Sequence, residues 1–438
     1  MDFSRRTALA AIGATGAGAV GLGYWQRRRL RRLSTIGEFR DVVGIEVPRI
    51  EDDPIIAMPL LESAYDRAVD RFDETEARLD PPLERYSEAF VDDLREQLTD
   101  NAPDRVSIRP HGTPAMYFVR RQALLTYRRM RSRIVEILAY ESPEELPAES
   151  IDDRSAAVSD RIESLTIPYR GERLGEAIVA GTTIESAVGD AERRLERAGE
   201  NDGIHVRWRE LERATAAIED AESFVQIRDG TDYGDDLPTI AERLLEEFER
   251  RRDEAPDSIV EDEDGEIVSS FTIGALTLLH RPMRHLGGYP YGRGGLLDGD
   301  RYGRAAFTYA LLLPTVPLYE AFADVPHASF WEERDYRIGA TAEELRAEKA
   351  AAIDAVEPYL DAEDPLVSHL AGVPLGALRV ADSRLQELID DPRGFDDDEW
   401  TRRGDLVLLK YESARRYAEA IEEAIEVVPG IEAPSSSS

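Results

Sequence analysis

The sequence predicts a mainly α fold, a multi-helix bundle built as one large or two merged lobes, on three observations. Apolar residues recur at spacings of three and four from residue 60 almost to the end of the chain. Short breaks rich in Pro, Gly and Asp separate these stripes, as they do between antiparallel helices. A strand-like pattern stands out only near 258–268, as a small β-hairpin. With 438 residues, 42% hydrophobic and 33% charged, the chain is long enough for more than one core and too apolar for global disorder.

The first 33 residues stand apart as a signal or anchor segment. Residues 34–59 read as an irregular connector, because Pro48, Pro54 and Pro59 interrupt any helix there. An N-terminal helical lobe spans 60–255. Its first stripe is Leu61, Ala64, Ala68, Phe72, Thr75 and Leu79, stopped by Pro81 and Pro82. A second helix covers 83–98. A third covers about 114–140, with Tyr117, Leu124, Tyr127, Met130, Ile134 and Leu138 on one face. Leu174, Ile178, Val188, Ala191 and Leu195 form one arm of a helical hairpin. The loop 199–203 turns the chain into the other arm, carrying Trp208, Leu211, Thr215, Ile218 and Val225. A helix over 237–253 closes this half.

The C-terminal helical lobe, 256–434, opens with the hairpin, in which 258–260 and 266–268 are joined through Asp264 and Gly265. Thr341 and Glu344 make a capping box. One long helix over 398–428 carries Val407, Ala414, Tyr417, Ile421, Ala424 and Val428. Serines 435–438 form a disordered tail.

Charge gives the next constraint. There are 89 acidic residues against 54 basic ones, a formal net of −35, and Lys349 and Lys410 are the only lysines among those 54. Self-repulsion on this scale penalises a compact chain in dilute buffer, and molar salt shortens its range to a few ångströms. Acid excess with lysine nearly eliminated resembles the surface style of proteins from extreme halophiles. A polyanion would meet a repulsive field, so nucleic acid is not expected as a partner. The absence of cysteine removes disulfides, thiolate metal sites and thiol catalysis.

At the N-terminus, Arg5 and Arg6 precede an uncharged, Ala- and Gly-rich run over 7–26, and five arginines follow between 27 and 32. This resembles a twin-arginine export signal, although Ala8 and Ala10 stand where the consensus has Phe and Lys. Ala17-Gly18-Ala19 lies inside the apolar run and not at its end, so the segment is expected to remain attached as an anchor. Its 20 residues just suffice to span a bilayer. An extracytoplasmic body at the membrane is the first expectation. The flanking arginines leave the cytoplasmic face as the alternative.

One region escapes the acidic pattern. Residues 271–331 carry five Arg against four acids, ten aromatic residues and a run of glycines. A stretch without surface acidity is most simply interior, so helices over 271–286 and 304–323 are expected to be buried, the second broken at Pro314 and Pro317. A pocket here would be lined by His280, Arg281, Arg284, His285, Tyr289, Tyr291, Arg293 and Tyr302, whose arginines suit an anion. The glycines form neither a phosphate loop nor a dinucleotide fingerprint. His280 and His285 would diverge by about 140° on a helix, which disfavours a shared metal. The acidic run at Asp262 fails as a calcium loop because Phe271 falls at its twelfth position. No Gly-x-Ser-x-Gly elbow is present.

Arg120, Arg121, Arg128, Arg129, Arg131 and Arg133 make one strongly basic helix, expected to pair with acidic neighbours inside the molecule or, failing that, with anionic lipid headgroups or an acidic partner. No metal site, cofactor or catalytic residue is assigned. The expected function is a non-catalytic binding or scaffold protein tethered to the membrane through 7–26, with a protein partner. The alternative is an enzyme or binder of a small anionic ligand, with its site around 280–302.

Overall fold

The computed structural model describes residues 35–48, 50, 58–79, 119–141, 146, 149–254, 259–261, 267–270, 300–321, 339–391, 394–395 and 397–431. These are mainly helical. In chain order the helices are α1 (35–43), α2 (Met58–Leu79), α3 (Val119–Glu141), α4 (Glu149–Ser164), α5 (Leu174–Glu200), α6 (Ile204–Gln226), α7 (Leu237–Glu254), α8 (Tyr302–Leu312), α9 (Val316–Ala321), α10 (Ala342–Val356), α11 (Pro365–Asp390), α12 (Asp397–Glu419) and α13 (Ile421–Val427). Two small antiparallel pairings complete the described residues. β1 (Arg170–Gly171) pairs with β2 (Thr231–Asp232), and β3 (Ile259–Glu261) with β4 (Ile267–Ser270). The second is the expected hairpin, with a bulge between Val260 and Glu261.

Buried side chains divide into two cores. One is filled from α2, α3, α4, α6 and the C-terminal half of α5, including Leu61, Ile134, Ile184 and Trp208. The other gathers α1, α7 to α13 and the first turns of α5, including Ile178, Leu244, Phe307 and Tyr417. Helix α5, about 40 Å long, is therefore the shared beam. Leu174 and Ile178 serve one core, and Ala187 and Ala191 the other. Helix α7, which the sequence places with the N-terminal half, packs on α8 and contributes to the second core.

Residues 35–43 are helical, where an irregular connector was expected. The interrupting prolines begin only at Pro48. Upstream of them Ile36, Phe39 and Val42 recur at helical spacing and are buried, with Phe39 stacked 6.0 Å from Trp400. Lys349, fully buried, secures the end of α1 by donating to the carbonyls of Val42 (2.9 Å) and Ile45 (2.7 Å) and to Asp382 (2.9 Å). The long C-terminal helix is broken at Ala420, whose ψ of 0° opens the ladder, while the apolar period runs on through Tyr417, Ile421 and Ala424. The capping box at Thr341 and Glu344 is formed on both sides.

Helix α8 is buried at Gly303 and from Ala305 to Leu312, with Arg304 partly exposed. The chain then tightens into a 3-10 turn at Leu313–Thr315 around Pro314 before α9. The expected helices over 83–98 and 271–286 lie outside the described residues, as do 7–26. Among the described residues, no helix is long and apolar enough to cross a membrane.

Candidate functional site

The basic helix α3 faces α6, and its arginines meet carboxylates. Arg128 Nε donates to Asp220 Oδ2 at 2.5 Å, Arg131 Nε donates to Glu212 Oε1 at 2.5 Å, and Arg131 also pairs with Glu219. Glu212 is wholly buried and is shared with Arg71 at 3.1 Å and Arg154 at 3.4 Å. Burial alone would push its carboxyl up, but Arg131, Arg71 and Arg154 together hold it below the ordinary carboxylate range. The expected pairing with acidic neighbours is thus made by Arg128 and Arg131.

Pairing does not consume all the positive charge. Beside this network lies a cavity of about 360 Å³ between α3, α5, α6 and α8. Helix geometry builds it. Leu124, Leu125, Arg128 and Arg129 lie one turn apart on α3. On α5, Thr183, Ser186, Ala187, Asp190, Arg193 and Arg194 follow the three-and-four spacing of a single face. Arg213 and Phe224 enter from α6, and Arg304 from the first turn of α8.

Six arginines therefore line one cavity, with Asp190 as its single acidic lining residue. Asp190 is shared among Arg193 at 3.3 Å, Arg194 at 3.5 Å and Arg128 at 3.8 Å. Glu210, behind the wall, takes Arg194 at 2.7 Å and Arg213 at 3.5 Å, and Arg209 at 3.0 Å as well. Counting Asp190, Glu210 and Asp220 against the six lining arginines leaves a formal surplus of three positive charges. Arg129 and Arg304 have no carboxylate partner among the described residues. Burial lowers the proton affinity of Arg304, and the nearby Arg193 and Arg301 lower it further. Arg213 is lowered too, chiefly by burial, with Arg194 and Arg209 adding to the lowering against the help of Glu210 and Glu136. The Nε of Arg304 and the hydroxyl of Ser186 are both buried without a hydrogen-bond partner.

Arg304 is fixed from behind. The buried Glu185 accepts the backbone N–H of Gly303 at 3.0 Å and of Arg304 at 2.6 Å, along with the hydroxyl of Tyr169 at 2.6 Å. The two N–H groups are orphan donors of the first turn of α8, whose own N-cap residue, Arg301, supplies no side-chain capping bond. Burial holds the Glu185 carboxyl up at about 7 against these three hydrogen bonds. Glycines permit the close approach: a Cβ at Gly181 would stand 2.6 Å from the Tyr169 ring, and one at Gly303 3.1 Å from it. On α5, then, Glu185 clamps α8 while its neighbour Ser186 faces the cavity.

Of the candidates read from the sequence around 280–302, Tyr302 alone lies among the described residues. Its hydroxyl donates to Asp300 at 2.8 Å, and it does not line the cavity. His280, Arg281, Arg284, His285, Tyr289, Tyr291 and Arg293, and likewise Arg5 and Arg6, lie outside them. Arg128 and Arg129 stand out in the sequence as part of a basic helix. The polar face of α5 and Arg304 escape the sequence reading: the first is overshadowed by an equally regular apolar face, and the second falls at the start of a stretch that reads as a buried helix. Among the described residues, no cluster of His, Asp and Glu could hold a metal ion.

Residues 234–430 are similar to a family described as Domain of unknown function (DUF8264). That stretch covers α7 to α13 and, of the cavity lining, includes Arg304 alone. No curated protein and no solved structure matches the chain.

Proposed function

We propose that this chain is a membrane-tethered, non-catalytic binding protein that holds a small anionic ligand in the cavity between α3, α5, α6 and α8. One observation carries the reading: six arginines from four helices line a cavity of about 360 Å³ in a chain whose net charge is −35. Gathering like charges in a partly desolvated place is unfavourable, and an anion offsets that cost through charge-assisted hydrogen bonds. The lining presents cations, hydroxyls and apolar walls. Among the described residues it includes no histidine or cysteine to activate a nucleophile, which favours binding over turnover.

The tether is the uncharged run 7–26. Arg5 and Arg6 before it support export, with the body held on the outer face of a membrane. The acid excess and the scarcity of lysine support an environment of molar salt.

Anion binding is tested by thermal unfolding and calorimetry of the full chain in molar KCl, with inorganic phosphate, sulfate, benzoate and phenyl phosphate. A ligand at a hundredfold its dissociation constant should stabilise the fold by about 2.7 kcal/mol. The double variant Arg129→Ala, Arg304→Ala strands no carboxylate, so it should unfold like the parent without ligand and lose the response. If no anion stabilises the parent, or the double variant responds equally, the reading is overturned. For the tether, Arg5→Lys with Arg6→Lys should hold the protein on the cytoplasmic side in cell fractions, and an unchanged distribution would remove the export claim.

A further inference from the structure

We infer that the ligand of this cavity is a phosphate monoester with an apolar organic group, an inference that rests on the anion-binding reading and names the chemistry of the anion. Direction comes first. Arg129, Arg193, Arg213 and Arg304 line the cavity from four different helices, Arg129 and Arg193 at its exposed edge. A carboxylate has two oxygens in one plane, which one or two arginine forks saturate. A phosphate monoester presents three strong acceptor oxygens around a tetrahedron, so donors arriving from several sides can all be used.

Charge agrees with this. A surplus of three positive charges is neutralised further by a dianion than by a monoanion. The buried hydroxyl of Ser186 and the Nε of Arg304, both without partners, are donors of the kind such oxygens accept.

The apolar part is argued from the remaining wall. Leu124, Leu125, Ala187 and Phe224 line it; Leu124, Ala187 and Phe224 are covered almost completely by the protein itself, so the partly exposed Leu125 offers the open apolar surface. A bare phosphate would leave this wall unused, whereas cavities of this size commonly enclose organic ligands. The phosphate could belong to a soluble ester or to a lipid headgroup, since both present the same dianion beside an apolar group.

Calorimetry on the full chain in molar KCl separates these terms with four probes sharing one feature at a time. Phenyl phosphate should bind at least about tenfold more tightly than phenyl sulfate, benzoate or inorganic phosphate, the worth of one charged hydrogen bond or one buried ring. Equal binding of phenyl sulfate would sink the dianion, equal binding of benzoate the tetrahedral shape, and equal binding of inorganic phosphate the apolar group. Each of those results leaves anion binding standing, whereas silence from all four overturns it as well. Leu125→Ala should weaken phenyl phosphate and spare inorganic phosphate, and equal losses for the two would overturn the role of the wall. Phosphatidic acid vesicles that displace phenyl phosphate, where phosphatidylcholine vesicles do not, identify the headgroup as the source. Without displacement, the soluble ester is the source.

Discussion

Glu185 joins a structural task to a titration near neutrality. Itself fully buried, it closes the first turn of α8 with two backbone hydrogen bonds and takes the hydroxyl of Tyr169. Burial raises its carboxyl from the ordinary 4.5 to about 7, so the unfolded chain releases this proton well before the folded protein does. Between those values folding takes up a proton. The contribution of this group to stability therefore falls as pH rises through the window, by about 3 kcal/mol when complete above pH 7. Glu185→Gln removes the titration and places an amide N–H against the N–H of Gly303 or Arg304, which adds a pH-independent loss of about 1–3 kcal/mol. Urea midpoints at pH 4.5 and 7.5 for both proteins should show the variant gaining on the parent as pH rises. A difference that stays flat would refute the buried, titrating carboxyl. Gly181→Ala, with a methyl driven into the ring of Tyr169, should loosen the same clamp.

At the scale of elements, the hairpin of α5 and α6 is readable because each arm repeats an apolar face and the loop at 199–203 is short and polar. Helix α4 was not readable. It gives few side chains to the core, notably Ile151 and Val158, and otherwise carries charge. Its position is fixed by contacts no local pattern reveals, such as Arg154 over the ring of Trp208 at 5.3 Å. The cavity was half readable for a similar reason. A basic helix and a surplus of arginine near 300 both show in the sequence, but Arg129 and Arg304 come together only because α3 packs on α6 and α8 on α5, while α5 and α6 pack on each other. The basic helix also supplies a contrast in energies. Glu212→Gln would leave Arg131, Arg71 and Arg154 facing a buried neutral group, and should cost about 3–5 kcal/mol. Arg133, half exposed beside Glu136 on its own helix, should change stability by less than about 0.5 kcal/mol when replaced by Ala. Chemical denaturation of the two variants would reverse this ranking only if the network around Glu212 were not formed.

For the whole molecule, the distribution of charge sets the conditions under which any of this can be measured. Both lysines are buried, and Lys349 is held by two backbone carbonyls at 2.9 Å or closer and by Asp382. Among the described residues, seven acidic and four basic side chains are buried, so most of the described acidic side chains lie outside the two cores. Repulsion across that exterior extends about 10 Å at 0.1 M salt and about 3 Å at 1 M, whereas pairs such as Arg131 and Glu212 are sheltered from screening. Stability should therefore climb between 0.1 and 2 M KCl, while the cost of Glu212→Gln stays nearly constant over that range. Glycine betaine at equal osmolality is excluded from surfaces but screens no charge, so it should reproduce little of the rise. If betaine stabilises as strongly as KCl, exclusion and not repulsion governs the fold, and the salt-adapted reading of the exterior fails. If KCl does nothing while Glu212→Gln still unfolds the protein readily, the buried pairs and the two cores suffice at low salt. The acidity would then need another explanation than its environment.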